Sequence, residues 1–278
     1  MASKGTRESA AKEPEPASVA PLKETPFETL AGLCSVLVIG LFALELLGQN
    51  FVIPSGSMED TLLVGDHLLV DRITFSPATS WMPLVHHRNP QRGDIVVFYR
   101  PAPQPEPDAD GNPVYSILVK RLVGMPGDRI HLHDGTVFIN GVAQPMPKEG
   151  LDTPIAPSER AYADEFPSVL PTVEDSHGAV TTWVVDLPNH IENGDLVVPP
   201  DKYFMMGDHR HASLDSRFWG LVPRENIMGR PLFNYWSFKT PGDQEDQKGL
   251  GNRLAWMGHV AIHFFTDTRW SRTFHRVH

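Results

Sequence analysis

The sequence predicts a mainly β protein preceded by one N-terminal membrane helix. Three observations point there. The 278 residues include 22 glycines and 26 prolines, about a sixth of the chain against an average near an eighth, which favours short strands and many turns over a helical bundle. Short apolar runs recur after turn residues from position 49 onward. A single long apolar stretch, Leu30 to Leu47, is broken only by Ser35 and Glu45. With 41% hydrophobic and 21% charged residues the chain is not wholly disordered. Its net charge of -10 argues against a nucleic-acid partner, which leaves a basic footprint. Cys34 is the only cysteine, so neither an intrachain disulfide nor a cysteine zinc site can form.

Taken in order, residues 1–26 are rich in Ala, Glu, Lys, Pro and Ser without an apolar period, the pattern of a disordered tail. The apolar stretch as a helix is about 27 Å long, close to the ~30 Å hydrocarbon core of a bilayer. Residues 27–48 are therefore expected to be a retained anchor. A cleaved signal peptide is disfavoured by the long polar region ahead and the lack of a small-x-small site behind. Lys4, Arg7, Lys12 and Lys23 precede the span, and the first basic residue after it is Arg72. The positive-inside rule then puts the N-terminus in the cytoplasm and residues 49–278 on the other side of the cell (inner) membrane.

Beyond the span, His67–Val70 and Asp94–Tyr99 read as strands entered through Gly65-Asp66 and Arg92-Gly93-Asp94. The proline-rich stretch 101–114 reads as a loop. In 116–128 a period of two puts Leu118, Lys120 and Leu122 on one face and Val119, Arg121 and Val123 on the other. Arg129 to Val142 reads as a hairpin turning at Asp134-Gly135. It opens an inserted subdomain, about 131–200, whose later part is Pro-, Asp-, Glu- and Thr-rich. The C-terminal stretch with Trp256, Phe264, Phe265, Trp270, Arg272, Phe274 and Arg276 reads either as a surface helix at the bilayer or as a terminal element packed on the domain.

The chain lacks G-x-S-x-G, H-E-x-x-H and a Walker A loop. Ile53-Pro54-Ser55-Gly56-Ser57-Met58 is either a polar turn leaving the membrane or a bend that exposes a serine hydroxyl beside a free N–H. Lys120 either snorkels from a strand edge or sits in an apolar site. To act as a base near neutrality it must drop by roughly 3 pKa units, about 4 kcal/mol, a shift that burial supplies. Arg121 stays protonated and cannot take that role. Tyr203 to Gly220 offers hydroxyls and an Asp215/Arg217 pair able to brace a loop.

Together these segments resemble bacterial signal peptidase I, the membrane-anchored Ser-Lys peptidases of family S26. The resemblance rests on Pro54-Ser55-Gly56-Ser57-Met58 with Thr61-Leu62 and Gly65-Asp66, and on Arg92-Gly93-Asp94-Ile95-Val96. It continues with Lys120-Arg121, Gly124 and Pro126-Gly127-Asp128, then Gly207-Asp208 to Arg217 with Trp219-Gly220, all in order over about residues 30–240. It implies an antiparallel β-sheet catalytic core with an inserted β-rich subdomain, and no cofactor. It implies a membrane-bound serine endopeptidase that removes N-terminal signal peptides from exported preproteins through an acyl-enzyme. Ser57 is then the nucleophile, and Lys120, neutral, the general base. The Ser57 N–H and the Ser55 hydroxyl form the oxyanion hole, Ser213 orients the lysine, and Asp215 and Arg217 support the loop. Ile53, Pro54, Met58, Leu62 and Leu118 line shallow pockets for small residues at substrate positions -1 and -3. The implied partners are preprotein signal peptides and membrane lipid. Asp60, in place of the proline of many relatives, and His209, His211 and Ala212 depart from the usual pattern.

Two rivals share the fold: a non-catalytic, membrane-tethered peptide-binding module, and an S26 relative with one dedicated substrate. A metal is not expected. His209 and His211 lack a third ligand, and His259 and His263, at i and i+4, lack the glutamate of a zincin.

Overall fold

The computed structural model describes residues 25–59, 61–77, 87–101, 106–107, 113–145, 157–169, 181–241 and 249–277. The expected tail up to residue 24, Asp60, most of the loop 101–114 and parts of the insertion lie outside them. Contacts divide the chain into two units, Met1–Ala43 and Leu44–His278. Helix α1 (Pro26–Leu47) starts at a capping box. Thr25 Oγ1 accepts from the Glu28 N–H at 3.3 Å, and Glu28 Oε2 accepts from the Thr25 N–H at 2.7 Å. Its side chains are described as far as Phe42, and among the described residues no helix is long and apolar enough to cross a membrane.

In the second unit, β1 (Gly48–Val52) pairs antiparallel with β2 (Asp66–Asp71), and a 3-10 turn, Gly56–Met58, lies between them. There follow β3 (Ile95–Tyr99), a two-residue ribbon of β4 (Glu106–Pro107) and β5 (Pro113–Val114), and β6 (Ile117–Gly124). The insertion holds β7 (Arg129–His133), β8 (Thr136–Ile139), β9 (Val142–Ala143), α2 (Pro157–Asp164), α3 (Thr181–Asp186), β10 (Ile191–Glu192) and β11 (Asp195–Val197). The chain returns through β12 (Lys202–Met206), α4 (Ser216–Trp219), β13 (Val222–Pro223) and β14 (Ile227–Ser237). It ends with α5 (Leu250–Asp267) and β15 (His275–Arg276).

The main sheet runs β1-β2-β14-β3-β6-β12-β13, with β15 beside β14, and the insertion forms a second sheet, β10-β11-β7-β8-β9. Every pairing is antiparallel. The fold is thus mainly antiparallel β, as expected. Strand β14 pairs β3 through its first residues, Ile227 to Gly229, and β2 from Arg230 to Ser237, with register shifts beside Pro231 and Asn234. A proline cannot donate to a ladder and is tolerated at such bulges, which also bend and twist the strand. The long strand thereby curls the sheet.

The hairpin forms where the alternation placed it. His133 pairs with Thr136, and Asp134 (φ 51°) and Gly135 (φ 73°) fill the two turn positions. Both positive φ values suit the turn that matches strand twist. Ile130, Leu132, Val137 and Ile139 are buried together with Tyr162, Phe166, Trp183, Phe204 and Met206, so the second sheet packs on the end of the first. A separate cluster of Ile53, Met58, Leu62, Leu68, Val70, Ile95 and Val97 lies beneath the 3-10 turn.

Candidate active site

The 3-10 turn is held from both sides. The Ile53 N–H donates to Asp66 O and the Gly65 N–H to Ile53 O, each at 2.9 Å, while the Leu62 N–H donates to Met58 O at 2.8 Å. Met58 and Leu62, each 1% exposed, anchor it in the core. Ser57 is the middle residue and partly buried, and its carbonyl accepts from the His209 N–H at 3.2 Å. N–H groups at the start of such a turn have no partner within it.

Lys120 comes from β6, paired with Val96 on β3. On the other side β12 pairs with Arg121 and Leu122. A position in the middle of a sheet leaves Lys120 3% exposed. Its Nζ lies 2.5 Å from Ser57 Oγ. Burial brings the ammonium from 10.5 down to about 8; Asp215 and Asp208 pull it up, and Arg217 pushes it down. An amine with that affinity is partly neutral near physiological pH. Touching a hydroxyl, it can take the hydroxyl proton.

Around this pair the loop after β12 is held by ion pairs and hydrogen bonds. Asp215 accepts from Arg217 Nε and Nη2 at 2.9 Å each and from the Gly207 N–H at 3.1 Å. Burial would raise this carboxyl, but the guanidinium beside it holds it below the usual carboxylate range. Asp208 accepts two bonds from Arg121 at 2.7 Å and a third from Thr61 Oγ1 at 2.6 Å. It therefore ties together the strand that carries Lys120, the segment after Ser57 and its own loop. A Cβ on Gly207 would lie 2.2 Å from Ser213 Oγ and 2.4 Å from Ser57 O, so only glycine fits there.

The expected residues are brought together unevenly. Ser213 is buried against Gly207, but its Oγ makes no hydrogen bond, so the expected bond to Lys120 is not formed in this structure. Ser55 is exposed and makes no side-chain capping bond. Met58 and Leu62 are buried on the core side of the turn, in the cluster with Ile53, and Leu118 packs with a different cluster around Phe98 and Leu122. Ile53 and Pro54 line an apolar groove of about 650 Å³ with Trp236, Phe238, Trp256 and Phe264.

Several supports have no motif of their own. Tyr162 Oη and Trp183 Nε1 both donate to Arg217 O, the latter at 3.1 Å, and Arg217 Nη1 donates to Ala163 O at 3.2 Å. His211 Nε2 lies 2.9 Å from Asp164 Oδ1. The insertion thus grips the loop that carries Asp215. From the C-terminus, Arg272 Nη2 donates to Thr61 O at 2.9 Å and to the buried Asp66 at 2.7 Å.

The profile described as "Signal peptidase, peptidase S26" matches residues 27–236, three quarters of the chain. The chain belongs to this family. It is 33% identical over 222 residues to signal peptidase I of Pseudomonas fluorescens, covering 74% of this chain and 71% of that one. Signal peptidase I of Aquifex aeolicus is 31% identical over 239 residues, 74% of this chain and 82% of that one. The corresponding enzyme of Leptolyngbya laminosa is 29% identical over 233 residues, 82% and 89% of the two chains. Membership in peptidase family S26 makes the chain a serine peptidase, a hydrolase.

Proposed function

We propose that this chain removes N-terminal signal peptides from exported preproteins. Ser57 Oγ attacks the carbonyl carbon of the scissile peptide bond while neutral Lys120 takes its proton. The same proton passes to the leaving amine as the bond breaks, leaving an acyl-enzyme on Ser57. Lys120 then draws a proton from water, whose oxygen attacks the ester carbonyl. It hands that proton to Ser57 Oγ as the acyl carbon–Oγ bond breaks, freeing the signal-peptide carboxyl end and restoring the hydroxyl and the neutral amine. The Ser57 N–H and, after a turn of its exposed side chain, the Ser55 hydroxyl stabilise the oxyanion; each such donor is worth about 3–4 kcal/mol.

The reading is carried by the 2.5 Å approach of Lys120 Nζ to Ser57 Oγ at a site where the lysine is 3% exposed. Burial removes the water that would otherwise keep the amine charged, and contact puts it where the proton must leave. Family membership and the curated relatives named signal peptidase I support the substrate class. Small residues at -1 and -3 of the substrate are taken to sit beside Ile53 and Pro54, at the near end of the apolar groove. Asp215 and Arg217 hold the loop that carries Ser213, which is buried against Gly207. The apolar groove continuing from Ile53 and Pro54 suits an apolar substrate segment.

Helix α1, at 22 residues, is about 33 Å long. In the sequence its apolar run, Leu30 to Leu47, continues past Phe42, where the described side chains stop. That full run, with the basic residues ahead of it, supports a single-pass anchor in the inner membrane, N-terminus in the cytoplasm and peptidase domain outside. The test is cleavage of a preprotein by the purified full chain in detergent. The wild type is expected to cut after a small residue, and Ser57→Ala and Lys120→Ala to show no product. Turnover by either variant would reject the mechanism.

A further inference from the structure

At the far end of α5 three potential metal ligands share one face. His259, His263 and Asp267 stand at i, i+4 and i+8, and one donor atom from each lies within 4.8 Å of the others. All three are partly exposed, so an ion can reach them from solvent. We propose that they form a binding site for a divalent transition ion of Zn2+ type, a function separate from the peptidase centre and independent of its reading.

The local geometry already prepares two of the ligands. His263 Nδ1 lies 3.0 Å from His259 O, the i to i+4 backbone carbonyl. A carbonyl accepts only, so Nδ1 carries the hydrogen, and Nε2 keeps its lone pair for a metal. Such a bond from the second ring nitrogen is the usual way a metal-ligating imidazole is oriented. His259 stacks on Trp256 at 5.3 Å and 15° and on His263 at 4.2 Å and 26°, which limits its rotation. Its Nε2 points to Asp267, 3.6 Å from Oδ2. Donors sharing one tetrahedral ion at about 2.0–2.2 Å lie about 3.4 Å apart. The donors, now within 4.8 Å of one another, would close by about 1.4 Å at most to reach that spacing.

The chemistry of the set selects the ion. Two imidazoles and one carboxylate suit Zn2+ and its neighbours, whereas Mg2+ and Ca2+ prefer oxygen ligands. Three protein ligands leave a fourth position for water. The site also sits at the carboxyl end of a helix whose last turn carries no basic residue, where the helix dipole favours a cation. That end is fixed in place: Lys239 N–H donates to Asp267 O at 3.0 Å, and Thr268 bridges to Phe238. An ion there would brace the last two turns of the helix whose other face lines the apolar groove.

The experiment is titration of the metal-free full chain in detergent with Zn2+ by calorimetry and with Co2+ by visible absorption, near neutral pH. One equivalent of each ion is expected to bind, Co2+ with the absorption of a four-coordinate site, and Zn2+ to raise the melting temperature. His259→Ala, His263→Ala and Asp267→Asn are each expected to weaken binding at least about tenfold, with an unchanged circular dichroism spectrum of the metal-free protein. Absence of binding in the wild type would show that the cluster is a simple histidine–aspartate pair. Because the chain has thirteen histidines, equal binding by wild type and His259→Ala would place the ion elsewhere. Either result overturns the proposal.

Discussion

The guanidinium of Arg217 and the carboxylate of Asp215 form a two-bond ion pair with almost no exposure on either side chain, 1% and 0%. Both charges act on Lys120, in opposite directions. The pair therefore does two things. It locks the loop whose Gly207 N–H bonds to Asp215, and it leaves the lysine near a balance in which burial dominates.

Removing the anion should disturb both. Asp215→Asn leaves the Arg217 charge buried without its partner, a loss of about 3–5 kcal/mol in comparable buried pairs. It also deletes a charge that favours protonated Lys120, so the lysine should lose its proton at lower pH. Chemical denaturation in detergent measures the first effect, and the pH dependence of kcat/KM the second. An unchanged pH profile would separate Asp215 from the lysine.

For the wild type, kcat/KM should rise with pH and level off above about 8, because only the neutral amine accepts the serine proton and burial sets its pKa there. Lys120→Arg should show no such rise and no activity, since a guanidinium stays charged. Cleavage of a fluorogenic signal-peptide substrate across this range is the measurement. A profile flat from pH 6 to 10 would be incompatible with Lys120 as the base.

The same depressed pKa has a cost in stability. Between pH 8 and 10.5 the folded protein holds fewer protons at Lys120 than the unfolded chain, so stability rises with pH in that window. Below it the buried charge opposes folding by about 3 kcal/mol. Lys120→Met fills similar space without the charge. It should melt higher than wild type at pH 7, and the advantage should fade as pH approaches the ordinary lysine value. A variant less stable at neutral pH would contradict the burial argument.

Much of this was legible in the sequence because it is local. A two-residue period gave the Lys120 face and the 130–139 hairpin, and the turn residues before Ser57 marked a bend. The supports were hidden because they are long-range and chemically plain. Tyr162, Trp183 and Asp164 fall in a stretch without strong periodicity, and nothing near them signals that they will meet Arg217 and His211. The aromatic, basic stretch that holds Arg272 reads either as a surface helix at the bilayer or as an element packed on the domain, and the sequence does not show that Arg272 will reach Thr61 O and Asp66. Met58 and Leu62 belong to the segment that carries Ser57, and a motif does not say which side of a turn faces the core. His259 and His263 were visible as a helical pair, and Asp267 completes their row only once α5 is known to run that far.

The insertion's grip on the loop gives a graded test. Tyr162 Oη and Trp183 Nε1 donate to the same carbonyl of Arg217. Tyr162→Phe leaves that oxygen one donor and should cost about 1 kcal/mol. Trp183→Phe with Tyr162→Phe leaves it buried and unpaired, and should cost more than the two single changes together. Melting or denaturant midpoints of the three variants measure the coupling; strict additivity would mean that the carbonyl is satisfied in another way.

Gly207 offers the sharpest steric test, because an added Cβ meets groups from two directions. It would lie 2.2 Å from Ser213 Oγ and 2.4 Å from Ser57 O, well inside contact distance. The Ser213 hydroxyl sits on a short side chain and can be cut away, whereas the Ser57 carbonyl is backbone and can move only with the serine itself. Gly207→Ala should therefore push Ser57 from Lys120 and reduce kcat by at least about a hundredfold, as misplacement of about 1 Å does in positioned reactions. Adding Ser213→Gly, which removes both the hydroxyl and the Ser213 Cβ that would lie 2.5 Å from the new methyl, should recover stability but not activity, since it relieves one neighbour and leaves the other. Full recovery of cleavage in the double variant would show that the loop yields at Ser213 alone, and that the close approach of Gly207 to the Ser57 carbonyl does not hold the serine against its lysine.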